Sequence, residues 1–252
     1  MKNILVPIGS VENGKNNLLY AINFAAISGA RVYVTCIKDE NMETTLRTVL
    51  DEVPTTKGVQ VVSKAISGDI FEGINQLCSV LHIDLIILSP QSIDIKDEVY
   101  LGKTTGKIIR DTEIPLLIVP KDHLFRKFDN ILLAFKNAPI RSKGTSETLE
   151  SMLAIFKSKL HLLQVITPDT AENDRELSDE VKKLNGTLTV TENSTVFEGI
   201  VEHFNTINPE MLCVLRRKNK NGFLRKLWKS NNEILKKEFH TTKPLLILKE
   251  RE

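Results

Sequence analysis

The chain has 252 residues, 41% of them hydrophobic and 26% charged, with a formal net charge of +2. That length exceeds one ordinary domain and predicts two, of roughly 126 residues each. The composition is that of a soluble globular protein: no apolar run approaches the roughly 18 residues of a membrane span, and the near-neutral balance points to neither nucleic acid nor membrane as a partner.

Met1-Lys2-Asn3 leads straight into Ile4-Leu5-Val6-Pro7. This is too short for a secretory signal and lacks a small-residue cleavage site, so it reads as the first strand, near 3–8, of a cytoplasmic protein. The next segment carries Leu18, Ile22 and Ala25 on one helical face and ends at Gly29, a natural C-terminal cap. Further strands are expected near 31–37, 59–65, 84–89 and 115–119. Between the third and fourth of these five, Ile70, Ile74, Leu77 and Leu81 follow a helical period, opened by Asp69 with Glu72 three residues on, a capping-box-like pair. Leu85-Ile86-Ile87-Leu88, flanked by Asp84 and Ser89, has the continuous apolar character of a parallel strand buried on both faces. Polar residues Lys121-Asp122-His123 and Arg126-Lys127 then interrupt the apolar runs, placing the boundary between domains spanning 1–122 and 129–252. The second half is expected to form strands near 130–135, 159–166, 186–191, 210–215 and 244–248, with Thr195 and Glu198 repeating the cap pair.

Phe71-Glu72-Gly73-Ile74 recurs as Phe197-Glu198-Gly199-Ile200, 126 residues later. Ile4-Leu5-Val6 answers Ile131-Leu132-Leu133, and Pro115-Leu116-Leu117-Ile118 answers Pro244-Leu245-Leu246-Ile247, in the same order and at nearly the same spacing. Three ordered matches indicate duplication of one unit. Short apolar runs alternating with helical periods imply βαβ units, hence an α/β fold with parallel sheets.

Five strands and four helices per half, opening on Lys2-Asn3-Ile4-Leu5-Val6-Pro7 and closing on Ile114-Pro115-Leu116-Leu117-Ile118-Val119-Pro120, resemble the universal stress protein family over nearly the whole chain, in two copies. The resemblance implies two open five-stranded, Rossmann-like parallel sheets, packed as an intrachain pseudo-dimer through their last strands, Leu116–Val119 and Leu245–Leu248. In one branch of the family it also implies an adenine nucleotide, ATP or AMP, at the carboxyl edge of the sheet. Ligands of open α/β sheets do sit there, at the strand-order switch point, where helix N-termini face phosphates. Nucleotide-binding members carry G-x2-G-x9-G-[S/T] after the fourth strand and an acidic residue after the first. Here the spacing is kept as Ser89-x2-Ser92-x9-Gly102-Lys103, with serines for the leading glycines and the hydroxyl displaced to Thr104. Pro7-Ile8-Gly9-Ser10 lacks the acid. By this resemblance Ile8 and Leu88 flank the base, Ser89, Ser92, Gly102, Lys103 and Thr104 lie near phosphate, and Pro7 and Gly9 belong to the same cofactor-binding set, in a degenerate site with no obligatory cofactor. The second half offers Arg216-x2-Asn219-x9-Lys229-Ser230 without glycine at the key positions, and Phe135 crowds the place of an adenine ring. Any nucleotide is therefore expected in the first half.

Other motifs read blandly. Gly102-Lys103-Thr104 is no P-loop, because Asp97 stands where that motif requires glycine. Arg216, Arg217, Lys218, Lys220, Arg225, Lys226 and Lys229, interleaved with Phe223 and Trp228, read as a solvated loop anchored by its aromatics rather than a nucleic-acid surface. The five acids between Glu172 and Glu180 read as a solvated helix face. Cys36, Cys78 and Cys213 lack metal-ligand or C-x-x-C spacing and are expected to be buried, and His82, His123, His161, His203 and His240 lack H-x-x-x-H spacing or a serine elbow. The expectation is a stress-associated, non-enzymatic binding or regulatory protein with unknown protein partners. The alternatives are a weak ATP-hydrolysing or phosphate-transferring enzyme, relying on Asp94, Asp97 or Glu98, and a ligand-free interaction scaffold.

Overall fold

A strand covered by helices on both faces must be apolar at every position, and in this protein such runs become the centre of each sheet. The structure is a computed structural model that describes residues 1–36, 42–66, 69–90, 108, 112–121, 123–136, 140, 143–172, 175–216 and 243–249. The chain divides into two units, Met1–Phe125 and Arg126–Glu252.

In the first unit β1 (Asn3–Ile8), α1 (Val11–Ser28), β2 (Arg31–Cys36), α2 (Met42–Glu52), β3 (Val61–Ser63), α3 (Ile70–Val80), β4 (Leu85–Leu88) and β5 (Leu116–Ile118) follow in turn. The strand order is β3-β2-β1-β4-β5. Its ladders are parallel: Ile4 to Ile8 pair in register with Val32 to Cys36, Ile4 and Leu5 with Leu85 and Ile86, and Ile86 to Leu88 with Leu116 to Ile118. Ile4, Leu5, Ile86 and Ile87 are wholly removed from solvent. The order reverses between β1 and β4, so their carboxyl ends flank a crevice.

The second unit contains β6 (Asn130–Phe135), α4 (Glu147–Phe156), β7 (Lys159–Ile166), α5 (Asp179–Lys183), β8 (Thr187–Glu192), α6 (Val196–Ile207), β9 (Met211–Arg216) and β10 (Leu245–Lys249). Its order, β10-β9-β6-β7-β8, places β6 and β9 where β1 and β4 stand in the first unit. Its ladders are also parallel. Each unit is thus α/β, with five parallel strands. A fourth helix in each half is expected between the last two strands; residues 91–107 and 109–111 of the first half lie outside the described residues, as do residues 217–242 of the second.

Helix ends follow side-chain chemistry. Gly29 ends α1 in the left-handed region, φ 70°, and donates its N–H to the Ala25 carbonyl at 2.8 Å. The Asp69 carboxylate accepts from the amides of Phe71 and Glu72 at 2.9 and 3.1 Å, and the Thr195 hydroxyl from the amide of Glu198 at 3.2 Å. One reading changes in part: of the acidic run, Asp179 and Glu180 open α5, whereas Glu172 and Glu176 precede the helix. The side chain of buried Gln164 donates to the Arg175 carbonyl at 2.8 Å, tying the run to β7, and the extended Ser178 delays helix onset until Asp179.

The repeated tetrapeptide acquires a packing role. Ile74 and Ile200 are fully buried, Glu72 and Glu198 are exposed in the first turn, and the glycines allow close approach of the helix. A Cβ on Gly199 would lie 2.8 Å from both methyls of Val165 and 3.2 Å from the Thr191 methyl, and one on Gly73 would meet Ile66 at 2.0 Å. Gly199→Ala should therefore destabilise the protein by about 1–3 kcal/mol through overpacking, outweighing alanine's helix-propensity gain of about 1 kcal/mol. Denaturant unfolding measures this, and adding Val165→Ala should recover part of the loss.

Candidate functional site

The first unit's crevice is built where β1 and β4 end. Pro7 and Ile8 are buried, and the chain turns out through half-buried Gly9 and Ser10 into α1. Ser10 takes the extended N-cap conformation without capping through its side chain. The helix lies directly on the strand end: a Cβ on Gly14 would stand 2.5 Å from the Ile8 Cγ2 and 3.1 Å from a methyl of Val49 in α2. Leu88 is 2% exposed, and half-buried Ser89 follows it. Continuing the β1–β4 register sets Leu88 beside Pro7, so Ile8 and Leu88 face opposite sides of the sheet, and with Pro7 they form the apolar strand ends, a floor below Gly9, Ser10 and Ser89. Ser92, Gly102, Lys103 and Thr104 lie outside the described residues.

Sequence reasoning missed a polar connection across this floor. Asn17, 3% exposed on an otherwise apolar helix face, donates through Nδ2 to the Ile87 carbonyl at 3.2 Å and accepts from the Ser89 hydroxyl at 3.2 Å. One turn nearer the helix start, Asn13 holds an Oδ1 that is shielded from solvent and has no hydrogen-bond partner. The available signal was two asparagines four apart in the first half of an apolar helix.

At the corresponding edge of the second unit, polar groups satisfy one another. Lys136, just past β6, donates to the Asp169 Oδ2 at 2.5 Å, and the Thr167 hydroxyl donates to the Asp169 Oδ1 at 2.6 Å. The Thr167 amide donates to the Thr170 hydroxyl at 2.9 Å. The ammonium of Lys136 first, then the Thr167 hydroxyl, hold the Asp169 carboxyl down at about 2. Phe135 is 5% exposed at the strand end. Apart from half-buried Arg216, the expected loop 216–230 lies outside the described residues.

The three cysteines are buried free thiols, and burial pushes the Cys78 thiol up to about 12 and raises that of Cys213 as well. His123 makes a tilted ring contact with Tyr20, His161 contacts the Asn130 Oδ1 at 3.3 Å, and exposed His82 occupies a left-handed turn. His240 lies outside the described residues. Among the described residues no group of three or more His, Cys, Asp or Glu is arranged to hold a metal, and no helix is long and apolar enough to cross a membrane.

Solved structures supply the comparison. A universal stress protein from Archaeoglobus fulgidus DSM 4304 superposes with a TM-score of 0.65 at 15% identity, over 99% of this chain and 97% of that one. A protein assigned as a universal stress protein from Pseudomonas aeruginosa UCBPP-PA14 gives 0.62 at 14% identity, over 99% and 93%. The cytoplasmic domain of a prokaryotic cation chloride cotransporter gives 0.54 at 14%, over 98% and 95%. No family model and no curated protein matches the chain. At these identities the likeness establishes the fold, that of the universal stress proteins.

Because Asp169 is held below the ordinary carboxylate range near 3.9, its contribution to stability is present above about pH 4 and is lost as pH falls through about 2. Carboxyl-detected NMR should show Asp169 titrating near 2, and Lys136→Met should move the midpoint up toward the ordinary value. A midpoint unchanged in that variant would assign the shift to Thr167 instead.

Proposed function

We propose that the chain is a binding or regulatory protein of the universal stress type, without turnover, that takes an adenine nucleotide such as ATP or AMP at the carboxyl edge of its first unit. The observation carrying this reading is the difference between the two edges. In the first unit the switch-point crevice offers Gly9, Ser10 and Ser89 over the apolar strand ends Ile8 and Leu88. In the second, Lys136, Asp169 and Thr167 engage one another beside the bulk of Phe135. An apolar floor with a few convergent polar groups is the usual composition of a small-molecule site. The kept spacing from Ser89 to Gly102 and Lys103 adds a glycine and a cation for phosphate. The likeness in fold to universal stress proteins supports the same reading.

A second reading, a ligand-free interaction scaffold, draws on the depth of Ile8 and Leu88, 1% and 2% exposed, which leaves little apolar surface for a base without rearrangement. The fold shared with a transporter's cytoplasmic domain fits a scaffold as well.

Native mass spectrometry and calorimetry with ATP on the full chain separate these readings. One nucleotide per chain is expected. Lys103→Ala should weaken binding roughly ten- to a hundredfold, the loss of one charge-assisted contact of about 1.5–3 kcal/mol, while the melting temperature without nucleotide barely moves. Two nucleotides per chain would overturn the asymmetry, unchanged affinity would leave Lys103 merely solvated, and no binding by the wild type would establish the scaffold reading.

A further inference from the structure

β8 is the outer strand of the second unit. Its parallel ladder to β7 runs from Thr187 opposite His161 to Glu192 opposite Ile166, and among the described residues no strand pairs with its other side. Just past the strand, the Asn193 amide donates to the Ile166 carbonyl at 3.0 Å. By alternation Thr187, Thr189 and Thr191 also turn their backbone groups to β7, so the N–H and C=O groups of Leu188, Val190 and Glu192 point to the open side.

The side chains alternate too. Thr191 faces α6, where a Cβ on Gly199 would meet its methyl at 3.2 Å, so Leu188 and Val190 project from the opposite face. They are 42% and 55% exposed. The helix preceding β8, α5, spans five residues against eleven in its counterpart α2, and it leaves both side chains uncovered. Proteins ordinarily blunt an open edge by shortening it or placing Lys or Pro on it. The first unit does so: its outer strand β3 spans only Val61–Ser63 and is followed at once by Lys64. β8 is twice as long, and Thr187–Thr191 contains no Pro, Gly or charged residue.

We propose that β8 is the surface on which two copies of this chain associate, strand to strand and antiparallel, about a two-fold axis at Thr189. The strand itself selects this register. Opposed residues must both have outward backbone groups and side chains on one face, which limits the partners of Leu188 within the strand to Leu188, Val190 and Glu192 of the second copy. Leu188 against itself would leave Val190 opposite Gly186, and Leu188 against Glu192 would set a charge on a leucine. Leu188 against Val190 gives every exposed apolar side chain an apolar neighbour, and it aligns Thr187 with Thr191 and Thr189 with itself. It also brings each Glu192 to Gly186 of the other copy, close in sequence to Lys182 and Lys183, so that no like charges are opposed. A single strand pair is a small interface, which makes the association reversible.

Sedimentation velocity on the full chain from about 1 µM to 1 mM tests this, and the wild type should pass from monomer to dimer in that range. Val190→Pro removes an N–H on the open side and spares the β7 ladder. It should weaken dimerisation roughly ten- to a hundredfold, since two hydrogen bonds between copies are lost per dimer. Leu188→Lys, at an exposed position, should weaken it as well without lowering the melting temperature, which keeps the test decisive if proline disturbs the strand. Thr189→Cys should cross-link to its own copy under mild oxidation, because a self-opposed, non-hydrogen-bonded pair places the Cα atoms about 4.5 Å apart, within disulfide reach. The three native thiols are buried and do not compete. A wild type still monomeric at about 1 mM would overturn the proposal and leave β8 to an extended segment of another protein. A dimer undiminished in both Val190→Pro and Leu188→Lys would overturn it too, placing the contact elsewhere on the chain. Dimer loss in both without a Thr189→Cys cross-link would overturn the two-fold at Thr189.

Discussion

Coverage of the central parallel strands on both faces is the constraint on which the rest of this structure depends. Ile4, Leu5, Ile86 and Ile87 in one unit and Ile131, Leu132 and Leu133 in the other are wholly withdrawn from water. Such strands hold no polar chemistry of their own, because a buried polar group must find a partner inside. Polar function is therefore displaced to the strand ends. The turn of strand order then concentrates it between β1 and β4, and between β6 and β9.

The two ends handle their polar groups in different ways. Lys136 and Asp169 form an exposed pair worth little to stability, yet they keep each other and Thr167 engaged at the ends of β6 and β7. At the other mouth Asn17 consolidates the wall by tying α1 to β4, and one turn away Asn13 is left without a donor. One strand order thus carries, past β6 and β7, polar groups that engage one another and, in α1 beside β4, an unsatisfied acceptor. The difference lies in a few side chains placed on equivalent backbone, the usual way in which function varies over a constant fold.

Close approach of helices to what they pack on is the second constraint, and glycine meets it at Gly14 and Gly199 against strands and at Gly73 against Ile66 beyond β3. The repeated Phe-Glu-Gly-Ile is therefore a docking motif: two apolar residues to bury, a glycine for clearance, and a first-turn acid in solvent at the positive end of the helix. It needs no catalytic explanation.

The α/β class, most strand positions and the three buried cysteines were legible in the sequence, because each follows from local apolar periodicity. Local pattern misled in the first part of the run from Glu172, where charge density suggested a helix face but the helix begins only at Asp179 and a hydrogen bond from Gln164, in a neighbouring strand, holds Arg175. Site residues Ile8 and Leu88 were named from motif spacing, whereas their depth beneath the crevice is a property of sheet and helix together. The sequence by itself determined which segments must be buried, since burial follows from side chains a few residues apart. Only the tertiary structure decided which polar groups meet. Asn17 reaches Ser89 across 72 residues and Lys136 reaches Asp169 across 33, and it is the folded surroundings that leave the Asn13 oxygen without a partner.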